Sequence, residues 1–154
     1  MNSIMFREQL RQEGLPSCPG AVTGICDTAI AAWIGNRLER PAPDPALMYW
    51  VTLNSHLPVP TPVPIESVVP CSALPLPSQS PALCSWTELE LNVHQSIAAL
   101  ASRDLPRPTV FIIVGDHAPP FSDPNLRQQF SRSVVPYILL TPASRSVSEE
   151  PLHR

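Results

Sequence analysis

Three short apolar runs predict the β-strands of this chain. The clearest is Val110–Val114, five apolar residues closed by Gly115, which is typical of a strand buried on both faces inside a parallel sheet. Ala46–Leu53 is a second near-continuous apolar run of the same character, and we expect it to lie parallel to the first. Val134–Leu140 predicts a third strand, in which Pro136 favours an edge or bulged position.

Two longer stretches repeat apolar residues with helical spacing. The first begins at Asp27, a good N-cap, and runs to about Arg40, with a stripe formed by Ile30, Ile34 and Leu38. The second opens with Ser85 and Glu88, which have the spacing of a capping box, and continues to about Arg103. Its stripe is Leu89, Val93, Ile97 and Leu100. Shorter helices are predicted at residues 3–13 and after the Asp123–Pro124 pair.

The order of these elements predicts an α/β fold with a mostly parallel sheet. A strand, a crossover helix and a second strand form a right-handed βαβ unit, which would bring the carboxyl ends of both strands to one edge of the sheet. A length of 154 residues suits one ordinary domain. We divide the chain into an N-terminal helix over residues 1–14, a main domain over 15–142 and a flexible tail over 143–154.

Composition excludes some classes of partner and identifies one unusual segment. A net charge of -3 gives no basic surface for nucleic acid, and no stretch is long enough and free enough of proline to form a transmembrane segment. Leu57–Pro81 contains eight prolines and one charged residue, Glu66, so it favours extended polyproline II backbone. We interpret the Pro-rich loop, residues 57–84, as draped over the active face. A docking ligand for an aromatic groove and a disordered insert are the alternatives.

The four cysteines, which are Cys18, Cys26, Cys71 and Cys84, are compatible with disulfides or with free thiols. None belongs to a C-x-x-C arrangement, so zinc-ribbon spacing is absent. Pairing each cysteine with its nearest neighbour would close two short loops, a pattern suited to an oxidising compartment, although four cysteines allow three pairings. The start of the chain shows no basic segment followed by an apolar one, so the sequence itself predicts no route out of the cytosol.

Polar residues with useful chemistry follow the first two predicted strands. Asp116 and His117 come directly after Gly115, and this pair offers one hard oxygen and one borderline nitrogen, which suit Zn²⁺ or Mn²⁺. A turn with a capping aspartate and a solvated histidine is the simpler interpretation. His56 stands just beyond the Ala46–Leu53 run and is a second candidate ligand or phosphate donor. An ordinary surface histidine is the alternative there.

Three motifs carry a resemblance to a known family. They are V-T-L-N-S-H-L-P at 51–58, I-I-V-G-D-H-A-P-P at 112–120 and V-V-P-Y-I-L-L at 134–140. In this order they resemble the carboxyl-terminal half of sulfatase-like metalloenzymes in the alkaline phosphatase superfamily. The nearest branch looks like the phosphoglycerol and phosphoethanolamine transferases that modify envelope lipids and glycans, and G-I-C-D at Gly24–Asp27 is similar to that branch too. The resemblance implies a partial three-layer sandwich, alkaline phosphatase-like, around the mostly parallel sheet.

The same resemblance implies roles for the candidate residues. It makes Asp116 and His117 ligands of a divalent metal (Mn, Zn or Mg/Ca), and His56 a substrate-binding residue that contacts the phosphate or a second metal. Enzymes of this kind form a covalent intermediate on a metal-activated Thr or Ser, and their substrates are phosphate or sulfate esters. The family works on the periplasmic or extracellular face of a membrane, whereas this chain as it stands would be cytoplasmic.

The sequence departs from the family pattern in two respects. Ala118 stands where the family usually has glycine, and nothing before His56 offers the expected nucleophile or the first acidic ligand. We therefore expect the carboxyl-terminal part of a phosphoryl-transferring metalloenzyme, inactive alone and weak in metal binding, since catalytic sites usually have at least three protein ligands. One alternative is a non-catalytic binding module that holds a partner through the Pro-rich loop. Another is a small hydrolase with an improvised nucleophile such as Ser55.

Overall fold

The structure is a computed structural model that describes residues 4–19, 23–63, 69–73 and 80–142. Its helices are α1 (Arg7–Gln12), α2 (Asp27–Leu38), α3 (Pro81–Ala101) and α4 (Pro124–Arg127), with a short 3-10 turn at Cys71–Ala73. Its strands are β1 (Ser17–Cys18), β2 (Gly24–Ile25), β3 (Phe111–Val114) and β4 (Tyr137–Leu140). The predicted tail and parts of the Pro-rich loop lie outside the described residues.

Both sheets are two-stranded and antiparallel, so the predicted mostly parallel sheet and the three-layer sandwich are wrong. β1 pairs with β2, and β3 pairs with β4 in a register that places Ile112 opposite Leu139 and Val114 opposite Tyr137. Within the described ranges no strand runs parallel to another, and the expected βαβ unit does not form.

The Ala46–Leu53 run does not form its predicted strand, because the described part of the protein leaves most of this run exposed. Leu47 is 97% exposed, and the backbone of this run joins no ladder. A near-continuous apolar run favours a strand only when both faces are buried. Without a parallel neighbour, β3 pairs instead with β4, to which the chain returns in the opposite direction after α4.

The longer helices occupy the predicted stretches, but their first residues differ from the prediction. α2 and α3 pack against each other. α3 begins at Pro81, and the Ser80 hydroxyl caps it by accepting a hydrogen bond from Leu83 N at 3.3 Å. The predicted capping box of Ser85 and Glu88 is therefore wrong, and Ser85 lies buried inside the helix. No helix in the described part of the chain is long and apolar enough to cross a membrane.

A small aromatic core joins α3 to the segment around α4. Its members are Leu83, Phe121 and Leu126, with Leu57, Trp86 and Phe130 packed against them. The Trp86 ring meets Phe121 and Phe130 edge to face, at centroid distances of 5.7 and 5.6 Å, a geometry favoured by the charge distribution of aromatic rings. Asp123 caps α4 as the Asp-Pro pair predicts, since its carboxylate accepts from Asn125 N at 2.8 Å. The core thereby fixes the chain that follows β3.

Two disulfides tie loops to the starts of helices. One joins Cys18 in β1 to Cys26, the residue before α2, and the other joins Cys71 to Cys84 in the first turn of α3. Beside the second disulfide, Cys71 N donates to a carboxylate oxygen of Glu88 at 2.7 Å. The described part of the Pro-rich loop near this bridge is therefore held against α3.

Candidate functional site

β3 leads directly into the turn that carries Asp116 and His117. Its ladder ends where Gly115 N donates to Pro136 O at 2.9 Å, and a Cβ at Gly115 would lie 3.1 Å from Pro136 Cδ. A glycine permits this close approach between the two chains. The Asp116 side chain is 94% exposed, and its Oδ2 lies 3.4 Å from His117 Nε2. The two candidate ligands therefore face solvent on an open turn.

His56 follows a turn that is held by a buried pair, which we call the Asp27–Asn54 clamp. Asp27 N donates to Asn54 Oδ1 at 2.6 Å, and Asn54 N donates to Asp27 Oδ2 at 2.8 Å. The Asp27 carboxylate also accepts from Leu53 N at 3.2 Å, while Asn54 Nδ2 donates to Ile25 O at 3.3 Å. The clamp thus joins the first turn of α2 to the backbone that positions His56.

Burial raises the pKa of Asp27 above its ordinary value of 3.8, because desolvation penalises the charged carboxylate. The N–H groups of Asn54 and Leu53 oppose this rise by stabilising the negative charge, whereas the negative charge of Glu90 on α3 adds to it. The pKa rises because desolvation, with a further contribution from Glu90, outweighs the hydrogen bonds. The Asp27–Asn54 clamp therefore contains a carboxylate whose charge is only partly compensated.

The side chains of His56 and His117 lie next to each other. Their ring centroids are 6.3 Å apart and their planes meet at 84°. Each Nδ1 lies 2.8 Å from the carbonyl oxygen of the following residue, Leu57 in one case and Ala118 in the other. Because a carbonyl oxygen only accepts, we assign the proton to Nδ1, which leaves the lone pair of a neutral ring on Nε2. This tautomer is the one in which histidine binds a metal through Nε2.

Asp116, His117 and His56 are donors of a suitable kind for a cation, but they do not form a complete metal site. Among the residues that the structure describes, no three His, Cys, Asp or Glu side chains are grouped closely enough to hold an ion. Catalytic zinc sites have three protein ligands in most cases. These side chains therefore require further ligands before they can hold a metal firmly.

The candidate site does not coincide with either of two cavities in the described part of the chain. One cavity of about 150 Å³ lies between α2 and α3, and one of about 590 Å³ lies beside residues 101–111. Neither is lined by His56, Asp116 or His117. Ser55, the nucleophile of the small-hydrolase hypothesis, is buried and is poorly placed to attack an ester.

Comparison with models of known protein families, with curated proteins and with solved structures gave no match. The resemblance to sulfatase-like enzymes therefore depends on the sequence motifs alone. The metal-ligand and substrate-binding roles that it implies for Asp116, His117 and His56 stay predictions.

Sequence reasoning missed the Asp27–Asn54 clamp. The sequence predicts Asp27 as the N-cap of α2, but Cys26 has that position and the Asp27 carboxylate is directed to the turn at residues 53–54. Both clamp residues belong to motifs quoted above, Asp27 to G-I-C-D and Asn54 to V-T-L-N-S-H-L-P. A hydrogen bond between residues 27 positions apart leaves no periodic signal, so only the polar residues themselves could have indicated it.

Proposed function

We propose that this chain provides one side of a metal-dependent site for phosphate or sulfate esters, of the sulfatase-like kind, and that it does not catalyse ester transfer alone. One observation carries the proposal: the rings of His56 and His117 lie 6.3 Å apart beside the Asp116 carboxylate. The sequence motifs around these residues support the same chemistry. The proposal concerns the site and does not require a parallel sheet.

The two histidines can serve an ester in two ways. A neutral ring with its proton on Nδ1 offers the Nε2 lone pair to a cation, and a protonated ring offers an Nε2–H donor to a phosphate or sulfate oxygen. The carbonyls of Leu57 and Ala118 keep each ring in the same orientation in both states. Asp116 adds a carboxylate that favours a bound cation and lies 3.4 Å from His117 Nε2.

We expect no independent turnover because of what the described residues lack. Phosphoryl transfer by a covalent route needs a nucleophile beside the bound ester and enough charge to stabilise the transition state. Ser55 is buried, and the described residues contain no group of three metal-binding side chains. Under this proposal, the remaining ligands and the nucleophile come from residues other than these.

Zinc titration of the 154-residue chain tests the binding part of the proposal. We expect NMR signals of Nε2 in His56 and His117 to shift together, and Asp116→Ala to weaken this response about tenfold. His94 is an internal control, because its Nδ1 also lies 2.8 Å from a carbonyl oxygen, that of Glu90, on the surface of α3. An equal response of His94 at the same zinc concentration would contradict the proposed site.

Hydrolysis of p-nitrophenyl phosphate and p-nitrophenyl sulfate tests the catalytic part. With Mn²⁺, Zn²⁺ or Mg²⁺ present, we expect no turnover by this chain above the rate with the metal alone. Metal-dependent hydrolysis that Asp116→Ala abolishes would show that the chain is an enzyme by itself, and this part of the proposal would then be wrong.

A second candidate function is a non-catalytic binding module, and the exposure of Thr61 and Pro62 in the Pro-rich loop favours it. Replacing residues 59–63 with a Gly-Ser segment of equal length should then abolish binding to an immobilised panel of domains with aromatic, proline-binding grooves. Asp116→Ala should leave that binding unchanged. The opposite pattern would rule out this candidate.

A further inference from the structure

One edge of β3 has no partner strand in the described structure. In an antiparallel pair, alternate residues direct both backbone groups toward the partner. Gly115 N donates to Pro136 O, so Gly115 is one of the residues that face β4. By alternation along the strand, the backbone N–H and C=O groups of Phe111 and Ile113 also face β4. Those of Ile112 and Val114 face the opposite edge. Within the described ranges, the backbone of Ile112 and Val114 makes no hydrogen bond outside the β3–β4 ladder, and the register directs their groups away from β4.

This edge lacks the features that usually protect an edge strand. Native proteins place charges, prolines or bulges on such edges to prevent pairing with another chain. Residues 109–115 contain neither a charge nor a proline, and Ile112 and Val114 are 69% and 59% exposed. The opposite edge of the sheet differs, because Pro136 and Pro142 bound β4 closely on both sides.

The sequence of residues 110–114, which comprise β3 and the residue before it, is nearly palindromic about Ile112. Antiparallel pairing with an identical strand centred there places Val110 opposite Val114 and Phe111 opposite Ile113, and each such pair is β-branched or aromatic. The same register brings the Asp116 end of one strand to the Arg107 end of the other, so the nearest charges beyond the seam have opposite signs. A strand of this kind therefore fits a second copy of itself.

We propose that β3 pairs with β3 of a second copy of this chain across a two-fold axis at Ile112, forming a sheet in the order β4-β3-β3-β4. The seam satisfies the outward backbone groups of Ile112 and Val114, together with those of Val110. The interaction does not depend on the proposed function, because Asp116 lies four residues from the axis, about 13 Å along an extended strand. The candidate functional site of each copy therefore lies well away from the seam.

The test measures association and backbone protection in the complete chain. Analytical ultracentrifugation should show a monomer–dimer equilibrium. Hydrogen exchange followed by NMR should show the Ile112 and Val114 amides exchanging at least about tenfold more slowly above the dissociation constant than below it, because they are hydrogen-bonded only in the dimer. The Phe111 and Ile113 amides should be protected at both concentrations, which also shows that the hairpin is folded. A chain that stays monomeric throughout would overturn the proposal.

Two lysine variants distinguish edge pairing from packing of the exposed sheet face. Ile112→Lys places like charges opposite each other at the seam, and we expect the dissociation constant to rise about tenfold. Leu139→Lys is the matched control, since Leu139 lies opposite Ile112 on β4 and is also exposed. Leu139→Lys should change the dissociation constant of the dimer less than about threefold. Equal weakening by both variants, or new protection at Tyr137 and Leu139 instead of β3, would refute pairing through β3.

Discussion

Replacing Asn54 with alanine would separate the support of His56 from the rest of the fold. The side chain of Asn54 is 4% exposed and takes part in two hydrogen bonds, one from Asp27 N and one to Ile25 O. Losing both costs about 1 kcal/mol each, and the buried Asp27 N–H left without an acceptor adds a desolvation cost of about 1 kcal/mol or more. We therefore expect Asn54→Ala to lower the free energy of unfolding by about 3 kcal/mol.

Urea unfolding under oxidising conditions measures this cost, with Asn36→Ala as the matched control. Asn36 is exposed, and its side-chain oxygen accepts a hydrogen bond of 3.3 Å from Arg103, so its removal should cost less than about 0.5 kcal/mol. In the Asn54 variant, zinc should no longer shift the His56 and His117 signals together. Equal costs for the two substitutions, or an unchanged joint response to zinc, would refute the reasoning about the Asp27–Asn54 clamp.

Three further predictions concern charge, packing and covalent links. The pKa of Asp27 is higher in the folded than in the unfolded chain, so protonation of this carboxyl group favours the folded state. The free energy of unfolding of the wild type, relative to Asp27→Asn, should therefore rise as the pH falls from above the raised pKa toward 3.8. Urea unfolding at several pH values measures this difference. Phe121→Ala should cost about 3–5 kcal/mol of unfolding free energy, while Phe6→Ala on the exposed surface should cost under about 1 kcal/mol. Replacing both Cys71 and Cys84 with serine should lower the free energy of unfolding by about 3 kcal/mol, because the disulfide joins residues with a sequence separation of 13. Thermal or urea unfolding measures this loss. A loss below about 1 kcal/mol would show that the disulfide constrains the unfolded chain little.

The two longer helices, β3 and β4 were predictable from the sequence, whereas β1, β2 and the pairing of the strands were not, and the strand predicted at Ala46–Leu53 does not form. Helical spacing located α2 and α3, and Asp123 with Pro124 located the start of α4, because these signals lie within a few residues of one another. The run at Val110–Val114 identified β3 but not its partner. Strand pairing depends on which distant segment covers each face of the strand, and an apolar run does not identify that segment.

For the candidate site too, the sequence identified individual residues but not the contacts that bring them together. The sequence identified His56, Asp116 and His117 as side chains with useful chemistry, and it attributed their meeting to a parallel sheet. In the structure, the turn after β3 and the Asp27–Asn54 clamp bring the histidines together. The clamp was missed because a buried carboxylate beside a helix start has the same sequence signal as an ordinary N-cap.

The uncharged edge of β3 also affects how this protein can be handled. A short apolar, β-branched segment without proline is the kind of sequence that stacks into cross-β aggregates when it is exposed, and flanking charges usually restrain it. Arg107 and Asp116 are the charges nearest to the two ends of residues 109–115. Asp116 is therefore both a candidate metal ligand and a charge that restrains aggregation through β3. Any Asp116 variant must be shown to be monodisperse before a lost response to zinc is attributed to chemistry.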